Sequence, residues 1–208
     1  MNILLIVGAA IGTLGILPYI TAVRRGQTRP RLVTWSVWTV LATIMAIASF
    51  RDGQTASAIL ALEGVIGCGA VAIMGIRYGN LKIDKIDIIS MIGAGLGLIS
   101  LTVIHQPMVT ILITITIDGV AFVPTFIHGW TRPSEETAIS YTCGAIAAGL
   151  SLIVALAPGG SMTGALYPLY STVANGLMVS LVLLSRTDWR QYLARIFSSE
   201  ISDSTESL

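Results

Sequence analysis

The stretch from Gly26 to Leu41 reads GQTRPRLVTWSVWTVL, and a related stretch from Gly129 to Gly144 reads GWTRPSEETAISYTCG. Both contain Thr-Arg-Pro just ahead of an apolar run. An aromatic residue follows each proline at the same interval, Trp38 in the first copy and Tyr141 in the second. Three matching residues arise easily by chance, so an internal repeat needs support from the rest of the chain.

The composition indicates a protein whose surroundings are mostly lipid. Of the 208 residues, 54% are hydrophobic and 11% are charged, whereas about a quarter of the residues of a soluble domain are charged. A helix needs about 20 apolar residues to cross the hydrocarbon core of a bilayer. Seven segments meet this requirement, at residues 2–23, 32–50, 56–76, 86–104, 107–128, 137–157 and 163–185.

The basic residues predict the orientation of these segments. If the N-terminus lies outside, eleven of the 12 Lys and Arg residues fall on the inner side, and only Arg51 falls outside. Inserted helices carry this excess of basic residues on the cytoplasmic side, and a missed helix would scramble the pattern. We therefore predict an all-helical, multi-pass protein of the cell membrane, with the N-terminus outside and the C-terminus in the cytoplasm.

Further matches extend the repeat in both directions. The aligned positions are Pro18 with Pro124, Gly53 with Gly160, and Cys68 with Asn175. An odd number of helices per copy inverts the second copy unless one more helix intervenes, so the seven helices divide as three, one and three. We predict a first triple-helix repeat at 1–78, a linker helix at 79–105, a second triple-helix repeat at 106–186 and a partly disordered cytoplasmic tail at 187–208.

In this arrangement the chain resembles the SWEET / PQ-loop (MtN3-type) superfamily of sugar and small-solute carriers. The resemblance rests on the 3+1+3 order, the outside N-terminus, a proline near the inner end of each repeat's first helix, and Pro124-Thr125-Phe126. It covers about residues 2–185 and implies an alternating-access transporter for a sugar, a vitamin or a solute of amino-acid size. Neither Pro18 nor Pro124 is followed by Gln, and Cys68 stands where the resemblance implies a polar amide.

The pattern Trp35-x-x-Trp38 is similar to a motif of the vitamin carriers of the PnuC type. However, Ala42 stands where the resemblance implies Asn. The alternative function for the same fold is a membrane receptor or assembly protein that transports nothing. That alternative predicts a closed, well-packed core.

Polar and small residues near the midplane are candidates for binding a solute, since carriers built from repeats place their sites there. They are Asp118, Asn175, Cys68, Thr114 and Ser171. An aspartate at a helix centre costs about 2.5–3.5 kcal/mol to insert, so it should face protein or water. Burial favours a neutral carboxyl, which makes Asp118 a candidate for carrying a coupled proton. The alternative role for Asp118 and Asn175 is hydrogen bonding between helices, and that for Cys68 is simple packing.

Other residues are candidates for gating. Trp38 and Tyr141 are predicted to form an aromatic gate, or else to belong to the interfacial belt, the location that we predict for Trp35 and Trp130. Pro18 and Pro124 each remove a hydrogen bond inside a helix, so we predict hinges there. Glu63 either lines an outer vestibule or extends its carboxyl to the membrane surface.

The sequence carries no enzyme signature. The glycine run Gly93–Gly97 lies in a predicted membrane helix, so it is not a dinucleotide-binding loop. His105 and His128 stand without metal-ligand spacing. We therefore expect no enzyme activity, cofactor, metal or nucleic-acid partner. The expected partners are membrane lipid, a small-molecule solute and a coupled proton, while association into a homo-oligomer is left open.

Overall fold

The computed structural model describes residues 3–79, 81–104 and 106–186. Within these ranges it contains seven α-helices, one short 3-10 turn at Pro133–Glu135, and no strand. The helices are α1 (Ile3–Arg24), α2 (Leu32–Arg51), α3 (Thr55–Tyr78), α4 (Lys85–Val103), α5 (Pro107–Thr131), α6 (Ala138–Ala155) and α7 (Met162–Arg186). The predicted all-helical class and the seven helices are confirmed, whereas the predicted tail at 187–208 and His105 lie outside the described residues.

All seven helices are long and apolar enough to cross a bilayer. The mean hydropathy of their most apolar windows runs from 1.4 in α7 to 2.3 in α1. Large apolar side chains cover their outer faces, as Ile73 and Ile76 do on α3. Helix α2 is the exception, because 61% of its window is buried inside the protein. The chain therefore has the structure of a multi-pass membrane protein, with α2 at its centre.

Two groups of three consecutive helices, α1 to α3 and α5 to α7, show the same packing order. Helix α3 packs against both α1 and α2, and α7 packs against both α5 and α6. The groups meet where α1 packs on α6 and where α2 packs on α5, while α4 packs against α2 and α5. We call the end of the bundle at which α1, α3, α5 and α7 end the basic end, and the opposite end the far end.

Small residues allow the two groups to approach closely. Gly8 on α1 packs against the backbone of Ala147 on α6, and Gly15 packs against Cys143 on the same helix. A Cβ atom on Gly15 would overlap that of Cys143. Since the residue numbers rise on α1 and fall on α6, these two helices are antiparallel.

Two arginines of α2 and its preceding loop fix helix α4 at both ends. Arg31 Nη2 lies 2.6 Å from Asp87 Oδ2 and 2.8 Å from Asp84 Oδ2. The Asp84 backbone N–H also donates to Asp87 Oδ2 over 2.8 Å, which caps the helix. At the far end, Arg51 Nη1 donates to the Leu101 carbonyl oxygen over 3.0 Å. Helix α4 is therefore attached to α2 by charged groups as well as by packing.

Candidate functional site

A central cavity of about 150 Å³ lies between the helices. The five residues that the sequence marked for solute binding all line it, namely Asp118, Asn175, Cys68, Thr114 and Ser171. Trp38, Tyr141 and Glu63 line it as well. Six helices contribute to the lining, and α4 does not. The structure thus brings these residues together at one site, while their binding of a solute stays a prediction.

Asp118 reaches the cavity from α5. It is half-buried, and its Oδ2 accepts a 2.5 Å hydrogen bond from the hydroxyl of Tyr170 on α7. Its Oδ1 accepts no hydrogen bond from the residues that the structure describes. Asp118 therefore faces protein and cavity, and its Oδ2 joins two helices, while a role in binding a solute or carrying a proton stays a prediction.

Glu63 brings a second carboxyl to the cavity from α3. A Cβ atom built on Gly12 of α1 would overlap the carboxyl group, so the two helices meet at this point. Within the described residues the carboxyl has no hydrogen bond and no ion pair. Glu63 was predicted to line an outer vestibule or to extend to the surface, and the structure places it in the wall of the central cavity.

The neutral polar groups of the cavity are partly bonded to their own helices. Asn175 Nδ2 donates to the Ser171 carbonyl oxygen over 2.8 Å and approaches Ser171 Oγ at 3.4 Å. Thr114 Oγ1 donates to the Thr110 carbonyl oxygen over 2.8 Å. The amide oxygen of Asn175 faces Gly144 on α6. These bonds hold the side chains in position and leave their remaining lone pairs for other partners.

Three aromatic residues separate the central cavity from a second one at the basic end. Tyr19, Trp35 and Tyr141 line both cavities, and we call them the aromatic partition. The rings of Tyr19 and Trp35 lie 4.9 Å apart, and those of Trp35 and Trp38 lie 5.1 Å apart. The row continues to α5, where Phe122 lies 4.8 Å from Trp38.

The partition differs in part from the predicted gate. Tyr141 belongs to it and Trp38 packs on it, whereas Tyr19 was not singled out, although it follows the repeat-matched Pro18 directly. The prediction that Trp35 belongs to the interfacial belt is wrong. Only 8% of Trp35 is exposed, because Tyr19 and Trp38 cover its ring inside the bundle.

The second cavity, the basic-end vestibule, has a volume of about 1010 Å³. Its charged lining residues are Arg29, Arg31, Lys82, His128, Arg132, Glu135 and Glu136. Several of these charges are paired with one another, as Arg132 Nη1 and Glu135 Oε1 are at 3.7 Å. The wall of the vestibule is therefore polar and carries charges of both signs, in contrast to the mostly apolar outer faces of the helices.

Glu136 connects this vestibule to the partition. It lies in the loop before α6, is buried, and its Oε2 accepts a 3.1 Å hydrogen bond from the Tyr141 hydroxyl. His128 Nε2 lies 3.8 Å from its Oε1. Burial raises the pKa of Glu136 to about 7, an effect that the Tyr141 hydrogen bond opposes and the neighbouring Glu135 charge reinforces. Glu136 was not predicted from the sequence, where its closeness to Tyr141 was the available signal.

Three of the helices contain a proline in their interior. Pro18 and Pro124 lie inside α1 and α5, as predicted, and Pro168 lies inside α7. Pro124 lines the basic-end vestibule, while Pro18 lines neither of these two cavities. Each helix continues through its proline as one element. A hinge function at Pro18 and Pro124 stays a prediction.

In the part of the chain that the structure describes, no three or more His, Cys, Asp or Glu residues are placed to hold a metal ion. Comparison of the sequence with protein-family models, with curated proteins and with solved structures finds no match. Functional conclusions therefore depend on the geometry of the cavity and its surroundings.

Proposed function

We propose that the chain is a small-solute transporter of the cell membrane that works by alternating access. The observation that carries this proposal is the central cavity, whose wall combines carboxyl, amide, hydroxyl and thiol groups from five of the six helices that line it. Ionisable side chains inside a membrane protein are costly, and those that face an inner cavity commonly mark a solute or ion pathway.

The packing order supports a 3+1+3 division into two like halves. Helix α3 joins α1 and α2 as α7 joins α5 and α6, and the contact of α1 with α6 has its counterpart in that of α5 with α2. A division of this kind is expected of the SWEET / PQ-loop carriers, which the sequence resembles. Parallel repeats related by an axis along the membrane normal are known among transporters, with the substrate site near the midplane.

The two carboxyl groups of the cavity lie at one matched pair of positions in the two halves, but on opposite members of that pair. Gly12 precedes Pro18 by the interval at which Asp118 precedes Pro124, and Glu63 precedes Cys68 by the interval at which Tyr170 precedes Asn175. Glu63 therefore faces Gly12 where Tyr170 faces Asp118. Each half contributes one acid to the cavity. The first half contributes it from its third helix, α3, and the second half from its first helix, α5.

The aromatic partition gives alternating access a physical form. Movement of Tyr19, Trp35 and Tyr141 would join the central cavity to the basic-end vestibule, and Pro18 and Pro124 are the candidate hinges for that movement. The excess of basic residues supports a cytoplasmic basic end and an outside N-terminus. Asp118 and Glu63 are the candidate carriers of a coupled proton.

The test is uptake by the purified protein in proteoliposomes, across a panel of sugars, vitamins, amino acids and amines, with and without a pH gradient. We expect at least one solute to accumulate, and Asp118→Asn to reduce that uptake at least tenfold. Asp52→Asn, outside both cavities, is the matched control and should transport normally. If no solute moves through protein that is shown to be folded, the non-transporting receptor or assembly protein replaces the proposal.

A further inference from the structure

We propose that the transported solute is a small organic cation, either a primary amine or a quaternary ammonium compound. This inference rests on the proposed transport function and adds the chemical class of the substrate. It comes from the charge, the aromatic lining and the volume of the central cavity.

The cavity wall contains two carboxyl groups. Asp118 and Glu63 line the cavity, and none of its lining residues in the described part of the chain is Lys, Arg or His. Neither carboxyl forms an ion pair with a residue that the structure describes. Removing a carboxylate from water costs several kcal/mol unless an opposite charge compensates. An ammonium group in the cavity would compensate each carboxyl in its ionised form, whereas an anionic solute would supply no such compensation.

The aromatic rings suit the same class of solute. Besides the partition residues, Trp38, Phe122 and Tyr167 line the cavity. Ring faces attract cations by about 0.5–2 kcal/mol each, most strongly when water is excluded, and quaternary ammonium compounds are commonly bound in this way.

The volume limits the size of the cation. An engineered protein cavity of about 150 Å³ holds one benzene molecule, and the central cavity has the same volume. A hexose has about twice as many non-hydrogen atoms as benzene and exceeds this space. Compounds of the size of ethanolamine or choline fit it.

The basic-end vestibule does not contradict a cationic solute. Arg31 is paired with Asp84 and Asp87, and Arg132 with Glu135, so much of its positive charge is compensated locally. Glu136 stands on the vestibule side of the partition, beside Tyr141. Acidic residues therefore lie on both sides of the aromatic partition, which a cation would have to pass.

The experiment compares choline with 3,3-dimethyl-1-butanol, which has the same shape and no charge, and with the anion 3,3-dimethylbutanoate. Uptake of labelled choline and ethanolamine into proteoliposomes is measured, together with competition by each analogue and direct binding to purified protein. We expect a cation to accumulate and the neutral analogue to compete at least tenfold more weakly. Glu63→Gln and Asp118→Asn should reduce this preference for the cation, while Asp52→Asn should retain it.

The outcomes separate the two proposals. If sugars or other uncharged or anionic solutes accumulate and the cations neither bind nor move, the substrate class is wrong and the transport proposal stands. If the cations bind with the expected preference but nothing moves, the cation site is supported and transport is overturned. If folded protein neither binds nor moves any solute, both proposals fail. Melting temperatures of all variants establish that they are folded.

Discussion

The hydroxyl of Tyr170 on α7 donates a 2.5 Å hydrogen bond to Asp118 Oδ2 on α5, in the wall of the central cavity. In the other helix group, Glu63 on α3 faces Gly12 on α1, which offers no side chain to bond. The two acids of the cavity therefore differ, because a fixed donor holds Asp118, whereas Glu63 has no hydrogen-bond partner among the residues that the structure describes. Because of this difference, a separate variant tests the role of each acid.

For Asp118, the informative change is Tyr170→Phe, which removes the donor and keeps the ring. A hydrogen bond to a charged group contributes about 1.5–3 kcal/mol, so we expect solute uptake to fall by about tenfold or more. Asp118→Asn should have a larger effect. The control is Tyr78→Phe, since Tyr78 lies at the end of α3 outside both cavities. Unchanged uptake by Tyr170→Phe would show that this bond only joins helices.

For Glu63, the informative change is Gly12→Ala. The added methyl group would overlap the Glu63 carboxyl, which is the end of a flexible side chain and can move into the cavity. We therefore expect solute affinity to fall several-fold while the melting temperature stays close to that of the wild type. Gly95→Ala on α4 is the control, because its added carbon would meet no described atom within 4 Å beyond the neighbouring backbone of its own helix. A large loss of stability without any change in affinity would argue against Glu63 as a cavity residue.

Glu136 predicts a pH dependence of stability. Since burial raises its pKa from 4.5 to about 7, the folded protein retains a proton that the unfolded chain releases. The contribution of this group is therefore full below about pH 4.5 and is lost as the pH rises to about 7, on the order of 3 kcal/mol in total. We expect the melting temperature to fall across this range and Glu136→Gln to flatten the profile.

The control for that profile is Glu135→Gln, because Glu135 is 47% exposed and also faces His128. The melting temperature of Glu135→Gln should still fall with rising pH, by most of the amount expected for the wild type. If Glu135→Gln or His128→Gln abolishes the pH dependence and Glu136→Gln does not, the assignment to Glu136 is wrong.

The attachment of α4 predicts unequal effects of two neighbouring acids. Asp87 is 3% exposed and Asp84 is 61% exposed, yet both contact Arg31. Removing one partner of a buried ion pair leaves an uncompensated charge and costs about 3–5 kcal/mol, whereas an exposed pair contributes about 1 kcal/mol or less. Asp87→Ala should therefore lower the melting temperature in detergent far more than Asp84→Ala. Equal effects would contradict the inferred attachment.

The sequence predicted the helices and several of the polar residues that line the cavity for the same physical reason. Long apolar runs are needed to cross a bilayer, and a carboxyl inside such a run, such as Asp118, is too costly to face lipid. Asn175 and Cys68 were found because the internal repeat aligned them at one depth. Patterns of this kind require no knowledge of how helices pack.

What the sequence did not predict depends on contacts between distant segments. Tyr170 is one of several tyrosines until α7 packs on α5, and Trp35 resembles an interfacial residue until Tyr19 and Trp38 enclose it. Glu136 is an ordinary loop acid until the fold buries it beside Tyr141. These roles come from tertiary packing, which periodicity and composition do not report.

The central claim is that a cavity at mid-depth opens to each side of the membrane in turn, and the native Cys68 thiol tests it most directly. Cys143→Ala leaves Cys68 as the one remaining thiol of the chain, since the sequence has 2 cysteines. A small, membrane-impermeant methanethiosulfonate reagent is then applied separately to each side of oriented vesicles. We predict that Cys68 is labelled from both sides and that a transported solute slows labelling. Labelling from one side alone, or only after unfolding, would contradict the account.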